Sequence, residues 1–238
     1  MTSEASLADD EARKASIRPG AWRFYREVLH SAQYFLAPMV DCSVLAFRLL
    51  CKRHGTQIGV CPMINSGVFA VSCNENFRRV AYETCDEDHP SIAQICGHDP
   101  DDMVRTAAML EAEGRCVAID VNLGCPQRVA KRGAYGAYLA EHPELVKTIV
   151  ERLVKETHIP ITCKIRVLED DESTIAFARM LEEAGCSMLT VHGRTKTQTN
   201  PKTTTANWSR IARVVFVSIL KNKTFDIITM ILLFVFVQ

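Results

Sequence analysis

The 238-residue sequence predicts an α/β fold, namely an incomplete (β/α)8 barrel of the TIM type with about six βα units. Short apolar segments with a period of two alternate with longer segments whose apolar residues recur at helical spacing. This alternation is typical of βαβ units that build a parallel sheet. No G-x-G-x-x-G sequence and no P-loop follows a predicted strand, which argues against the two common nucleotide-binding folds of this class.

The predicted strands are spread evenly along the first two hundred or so residues. The first, Tyr34–Val40, precedes a helical pattern over residues 45–50, and Ile58–Met63 is a weaker second strand. Clearer apolar segments predict the remaining strands, which are Ser91–Cys96, Val117–Leu123, Ile161–Val167 and Met188–His192.

The helices between the later strands carry recognisable end signals. One begins at Pro100, with Asp99 as its N-cap, and ends at Gly114. The next shows a one-sided apolar stripe over Leu145–Val154 after Pro143. Two further helical patterns are Ile175–Ala184, stopped by Gly185, and a segment that begins at Trp208.

A cysteine lies where the Val117–Leu123 strand ends. The sequence Gly124-Cys125-Pro126 must break the strand, because glycine permits a tight path and proline removes a backbone donor. Polar side chains occupy one face of the neighbouring strands near their C-terminal ends, where barrel enzymes carry their chemistry. Each of these residues taken singly is commonly structural, but their matching depth favours a site near Cys125. They are Gln94, Asp120, Asn122, Lys164, Arg166 and His192.

Composition excludes several other classes of protein. The 28 Lys and Arg residues balance the 28 Asp and Glu residues, so any nucleic-acid site must be a local basic patch. Ten cysteines without a C-x-x-C pair indicate reduced thiols, and neither a metal centre nor a disulfide framework is expected. The first twenty or so residues lack the apolar core of a signal peptide.

Four motifs stand at the ends of the predicted strands. They are Ala37-Pro38-Met39-Val40-Asp41, Asn122-Leu123-Gly124-Cys125-Pro126-Gln127 continued by Lys131-Arg132-Gly133, Cys163-Lys164-Ile165-Arg166, and Val191-His192-Gly193-Arg194-Thr195. In this order and spacing they resemble the tRNA-dihydrouridine synthase family, in its eukaryotic 16/17-type subclass, over residues 34–213. Cys42 and Ile64-Asn65-Ser66 depart from the family pattern, which bears on the choice of substrate more than on the chemistry.

The resemblance implies a flavin enzyme. In this family NAD(P)H reduces FMN, hydride passes to C6 of a uracil in tRNA, and a cysteine protonates C5 from the other side. Cys125 would be this proton donor, since a thiol with the ordinary pKa of about 8.5 is mostly protonated at neutral pH. The family's flavin contacts would fall on Pro38, Met39, Val40, Gln94, Lys164 and His192.

The resemblance also implies contacts with the RNA. Asn122 and Arg166 would help to position the flavin or the uracil, which must leave its stack to be reached. Arg128 and Lys131 are candidates for phosphate contacts, although an ordinary solvated basic turn explains them equally well.

Three segments are expected along the chain. Residues 1–30 form a disordered or irregular lead-in, residues 31–213 the partial barrel, and residues 214–238 a hydrophobic tail outside the family pattern. The tail's apolar run, Ile227–Val237, is shorter than the roughly 20 residues of a spanning helix, so we expect no membrane association, with a membrane anchor in the tail as a minor alternative. The family pattern ends near Arg213, where the composition also changes, and this favours a replaced C-terminus. Such a replacement would remove the family's phosphate-binding loops and RNA-binding domain, which predicts weak FMN binding and impaired activity.

Two other functions remain open at this stage. Lys164 could form a Schiff base in a barrel lyase, and the chain could be an inactive fragment that binds RNA or a protein partner. For the leading function we expect a monomer that acts on tRNA in the cytoplasm, with the nucleus as a further compartment. The sequence does not indicate the uridine position or a preference between NADH and NADPH.

Overall fold

A parallel sheet forms the centre of the computed structural model, which describes residues 20–200, 202–221 and 228–231. Its strands lie in the order β1-β2-β4-β5-β6-β7-β8, and the short β3 also pairs with β4. All of these pairings are parallel. The strands are β1 Phe35–Leu36, β2 Ile58–Val60, β3 Ile64–Asn65, β4 Ser91–Cys96, β5 Ala118–Leu123, β6 Ile161–Arg166, β7 Met188–His192 and β8 Ile228–Ile231.

Helices connect most of these strands, as parallel neighbours require. The α-helices are α1 Ala21–Arg23, α2 Leu45–Arg53, α3 Ser66–Phe69, α4 Glu75–Ala81, α5 Pro100–Glu113, α6 Arg128–Arg132, α7 Pro143–Glu156, α8 Asp171–Glu183 and α9 Trp208–Lys221. A π-helical turn over Phe24–Val28 continues α1, and Asp86–Asp88 and Gly136–Glu141 are 3-10 helices.

This architecture confirms the predicted incomplete barrel. All six predicted strands are present in the predicted order, although the first two are shorter than predicted. Strand β1 stops before Pro38, which has no N–H, and the next N–H, that of Met39, donates to Ser43 Oγ at 2.9 Å. The predicted second strand is reduced to β2, because Pro62 lacks a backbone donor, and the short β3 begins one residue beyond the predicted end at Met63.

The two faces of the sheet bury different clusters. The outward face, for example Val121 and Ile165, packs against the helices through residues such as Leu110 and Leu153. The inward face is apolar only at its lower end, where it meets the N-terminal helical turn. That inner cluster contains Phe24, Leu29, Ala32, Ile58, Val60, Ile92, Ala118 and Met188. Above it the inward face becomes polar, as the alternation in the strands predicted.

The predicted flanking segments are partly described. Residues 1–19 of the lead-in lie outside the described residues, whereas Ala21–Arg23 and Phe24–Val28 are helical and bury Phe24 against the sheet. The predicted start of the tail at residue 214 falls within α9. Farther along the tail, β8 pairs with β7 in the register Met188↔Ile228 to Val191↔Ile231. The tail therefore contributes a further parallel strand.

Candidate active site

Cys125 lies on a loop that is held from two sides. On one side, Asn122 Oδ1 accepts the backbone N–H groups of Gly124 at 3.2 Å and Cys125 at 3.0 Å. On the other, the Cys125 carbonyl accepts the N–H of Ala137 at 3.0 Å. The adjacent Gly136 has a φ of 66°, and a Cβ there would lie only 2.7 Å from the Cys125 oxygen. The half-buried thiol is thus carried by a fixed backbone.

The 3-10 helix after this loop adds a second brace. Tyr138 donates its hydroxyl hydrogen to the Pro126 carbonyl at 3.1 Å. Lys196, from the loop after β7, lies 5.1 Å from the centre of the Tyr138 ring and forms an ion pair with Glu141. The loops after β5 and β7 are therefore joined beside the cysteine.

A cavity of about 1010 Å³ opens at the C-terminal ends of the strands, next to Cys125. Every residue that the family resemblance assigns to the flavin, the proton transfer or the RNA lines this cavity, except Arg128 and Lys131. Those two are exposed on α6, so the structure does not bring them to the cavity wall. The predicted residues that it does bring together are Cys125, Pro38, Met39, Val40, Gln94, Asn122, Lys164, Arg166 and His192.

The positions of these side chains follow from the register of the sheet. Residue Asn122 is the partner of Lys164 in the β5–β6 pair, and Arg166 is the partner of His192 in the β6–β7 pair. On each strand, residues two apart point to the same face. Each of these pairs therefore lies at one height on the inward face, and Arg166 and His192 lie one layer nearer the strand ends than Asn122 and Lys164.

A hydrogen-bond network lies under the cavity. Asp120 accepts from Thr162 Oγ1 and from Gln94 Nε2, each at 2.7 Å. Gln94 Oε1 in turn accepts from Asn122 Nδ2 at 2.8 Å. Because Asn122 also binds the loop N–H groups, these bonds connect the barrel interior with the backbone of Cys125.

The predicted position of Asp120 at the cavity mouth is wrong. The side chain is 5 % exposed and borders only a void of about 10 Å³ beneath the main cavity. Asn122, two residues on, occupies the position nearer the mouth, because two residues advance a strand by about 6.6 Å. Burial raises the pKa of the Asp120 carboxyl, while the bonds from Gln94 and Thr162 and the charge of Lys164 oppose that rise.

Cationic side chains gather at the cavity wall. Burial lowers the pKa of Lys164 to about 8, although the nearby Asp120 carboxylate acts in the opposite direction. Burial together with Arg194 lowers the pKa of Arg166 to about 10. Arg166 donates to the carbonyls of Gly124 at 2.8 Å and Thr195 at 3.0 Å, and so ties the loops after β5 and β7 together.

His192 is neutral at physiological pH. Burial and the charges of Lys164, Arg166 and Arg194 lower the pKa of its imidazole to about 3. It therefore offers a hydrogen bond to a ligand in the cavity and no charge.

Sequence reasoning missed several cavity residues. Arg194 lines the wall, and its Nε atom is buried without a hydrogen-bond partner among the described residues. Arg194 belongs to the Val191–Thr195 motif, but the residues after β7 show no periodicity that would predict where its side chain lies. Met63, which lies in the break between β2 and β3, accepts a hydrogen bond at its Sδ from Asn122 Nδ2 at 3.6 Å.

The described part of the chain offers neither a metal centre nor a membrane-spanning helix. No group of three or more His, Cys, Asp or Glu side chains has an arrangement suited to a metal ion there. Among the same residues, no helix has both the length and the apolar character needed to cross a membrane.

Comparisons with known proteins assign the chain to one family. The family model described as dihydrouridine synthase (Dus) matches residues 35–218. A Rattus norvegicus protein named tRNA-dihydrouridine(16/17) synthase NAD(P)(+)-like is 44% identical over 193 residues, which cover 81% of this chain and 44% of the relative. The tRNA-dihydrouridine(16/17) synthase NAD(P)(+) of Schizosaccharomyces pombe is 42% identical, with coverage of 74% and 44%. The chain thus spans less than half of the length of these relatives.

A solved structure supports the fold alone. The complex of 2-naphthoyl-CoA reductase with 2-naphthoyl-CoA superposes with a TM-score of 0.57 at 12% sequence identity, covering 79% of this chain and 43% of that one. The family match covers most of the sequence and includes the Cys125 loop together with every strand from β1 to β7. On this basis the chain belongs to the dihydrouridine synthase family.

Proposed function

We propose that the protein is a tRNA-dihydrouridine synthase, which reduces a D-loop uridine to 5,6-dihydrouridine with FMN and NAD(P)H. The observation that carries this proposal is the position of Cys125, whose braced loop borders a large cavity lined by Lys164 and His192. The names of the relatives, which refer to tRNA, dihydrouridine and NAD(P)(+), support the same reaction.

The cavity residues suit FMN in their chemistry. Pro38 and Met39 supply an apolar wall for a flat ring system, and Gln94 and Asn122 supply amide groups for its polar edge. Lys164 and Arg166 place positive charge beside a ligand that carries a phosphate. When bound, FMN would accept reducing equivalents from NAD(P)H and supply the hydride for the uracil ring.

The protein residues then have separate roles. Cys125 holds the proton for C5, and the two braces on its loop keep the thiol at the cavity wall. Arg166 keeps the loops after β5 and β7 together, and neutral His192 provides a hydrogen bond. Arg128 and Lys131 lie exposed on α6 and are proposed to contact RNA phosphates outside the cavity.

Cys125→Ala tests this function directly. With tRNA that lacks dihydrouridine, added FMN and NADPH or NADH, the wild-type protein should form dihydrouridine, at a rate lowered by the weak FMN binding that the sequence predicts. Mass spectrometry of digested tRNA measures the product. Cys125→Ala should lower the rate by about a hundredfold or more, since it removes the general acid. Cys73→Ala, which alters an exposed cysteine that does not line the cavity, should leave the rate unchanged.

The outcomes separate the candidate functions. No dihydrouridine from the wild-type protein, despite flavin binding, would contradict the proposed activity. Equal rates for wild type and Cys125→Ala would remove Cys125 from the role of proton donor. The monomeric state and the cytoplasmic or nuclear location remain predictions, to be measured by light scattering and by imaging of a tagged chain.

A further inference from the structure

The hydrogen-bond network under the cavity has a fixed direction. It runs from the loop amides of Gly124 and Cys125 through Asn122 and Gln94 to Asp120. A side-chain amide has a donor NH2 group and an acceptor oxygen, so the amides of Asn122 and Gln94 could each adopt two orientations related by a flip. Which way each one lies decides whether all of these contacts are satisfied.

The loop end of the network fixes one direction. Backbone N–H groups can only donate, so Asn122 must turn its oxygen toward Gly124 and Cys125. Its nitrogen then faces Gln94, which must answer with its own oxygen. The Gln94 nitrogen is consequently left to face Asp120, where only an acceptor can satisfy it.

Asp120, at the interior end of the network, independently requires the same orientation of the Gln94 amide. An ionised carboxylate offers acceptors only, and Asp120 uses one oxygen for Thr162 and the other for Gln94. If either amide were reversed, two donors or two acceptors would face each other in a buried site, which is unfavourable. The carboxylate therefore selects the one orientation of Gln94 that is compatible with the loop.

We propose that Asp120 is a positioning residue for the Cys125 loop. Its carboxylate holds Gln94 in one orientation, and Gln94 in turn holds the Asn122 side chain that receives the loop amides. Asp120 itself does not line the main cavity, so it acts through these two neighbours. The importance of this role for catalysis rests on the proposed function of Cys125, whereas the effect on the loop does not.

The test measures the loop in the protein without added flavin, tRNA or NADPH. Iodoacetamide modifies the cysteines, and mass spectrometry follows the Cys125 peptide relative to the exposed Cys73 as an internal reference. Asp120→Asn offers one donor and one acceptor in place of two acceptors, so the interior end of the network no longer permits only one orientation of Gln94. We expect modification of Cys125 to become about fivefold faster, because a released loop exposes its half-buried thiol more often.

Two further variants separate positioning from general stability. Gln94→Met interrupts the network but leaves the Asp120–Thr162 bond, and should also accelerate modification of Cys125 by about fivefold. Thr162→Val removes a buried hydrogen bond to Asp120 on the side away from the loop, and should leave the Cys125 rate within about twofold of wild type. If Asp120→Asn does not fold, the comparison of Gln94→Met with Thr162→Val decides.

A rescue variant provides the sharpest criterion. Gln94→Glu combined with Asp120→Asn moves the carboxylate to position 94, at the centre of the network. There it can accept from Asn122 and from the new amide at position 120, so Asn122 again turns its oxygen toward the loop amides. Its Cys125 rate should return to within about twofold of wild type. Unchanged Cys125 reactivity in both Asp120→Asn and Gln94→Met, or a double variant no slower than Asp120→Asn, would overturn the proposal. Because no turnover is measured, failure of the proposed enzyme activity would leave this result unaffected.

Discussion

At the scale of single residues, burial decides which cavity side chains carry charge. Lys164 and His192 both line the cavity, and burial lowers the pKa of each. The values of about 8 and about 3 lie on opposite sides of neutral pH, so Lys164 is mostly charged and His192 is neutral. Positive charge beside a bound anion is therefore supplied by Lys164 together with the arginines.

Lys164 should make FMN binding dependent on pH. Its ammonium form predominates below about pH 8 and is lost above that value, so affinity should fall as the pH rises. Between pH 7 and pH 9 we expect affinity to fall by up to about tenfold, the change in the charged fraction for one pH unit above a pKa. Quenching of FMN fluorescence on binding measures this affinity.

Two substitutions provide the controls for this pH dependence. Lys164→Arg keeps the positive charge at high pH and should remove most of the dependence while binding persists. Lys164→Met should bind FMN more weakly at pH 7, with little further loss at pH 9. An unchanged pH dependence in Lys164→Met would assign the effect to another group.

At the scale of elements, the 3-10 helix Gly136–Glu141 is as important to the site as the strand that precedes Cys125. It supplies the amide of Ala137 to the carbonyl of Cys125 and the hydroxyl of Tyr138 to the carbonyl of Pro126. It can approach so closely only because Gly136 lacks a side chain and adopts a φ of 66°. The loop geometry is therefore set jointly by β5 and by a segment eleven residues beyond Cys125.

Gly136→Ala should displace the Cys125 loop. The change forces a left-handed conformation on alanine and places a Cβ within 2.7 Å of the Cys125 oxygen. We expect a loss of unfolding free energy of about 3 kcal/mol, of which about 1–2 kcal/mol comes from the backbone conformation. Urea denaturation measures the total.

Gly114→Ala is a matched control for this substitution. Gly114, at the end of α5, has a φ of 65°, but a Cβ there would meet nothing within 4 Å. It should cost only the conformational part, about 1–2 kcal/mol. Equal losses for the two variants would mean that the close approach of Gly136 to Cys125 contributes nothing to the packing.

At the scale of the whole molecule, a buried ion pair ties the first strands to the rest of the sheet. Arg48 of α2 is 1 % exposed and donates to both carboxylate oxygens of Asp88, at distances of 2.7 to 3.1 Å. It also donates to the carbonyls of Ser43 and Glu83, each at 2.7 Å. The contacts join α2, which follows β1, to the segment just before β4, and so support the cavity wall formed by residues 35–40.

Arg48→Met should destabilise the fold strongly. Removing one partner leaves the Asp88 carboxylate buried without its cation, which typically costs about 3–5 kcal/mol of unfolding free energy. Arg48→Met combined with Asp88→Asn removes the charge as well and should be less destabilised than the single variant. Urea denaturation of both proteins checks this order, and a loss below about 1 kcal/mol for Arg48→Met would contradict it.

Much of the fold was accessible from local patterns. The bounds of β4 and β7, and the start and end of α5, match the prediction because they depend on alternation, an N-cap, a proline and a glycine. The lengths of β1 and β2 did not follow from apolarity, since Pro38 and Pro62 interrupt the hydrogen bonding. The pairing of β8 with β7 is a long-range contact that no local pattern specifies.

The sequence by itself determined the order of strands and helices, the inward face of each strand and the placement of Cys125 at a strand end. These features depend on the spacing of neighbouring residues along the chain. Only the tertiary structure decided that Asp120 lies beneath the cavity, that Gly136 touches Cys125 and that Arg128 and Lys131 are not among the residues that line the cavity. Those facts depend on the register between strands and on the path of loops, because residues far apart in the sequence meet there through packing and hydrogen bonding.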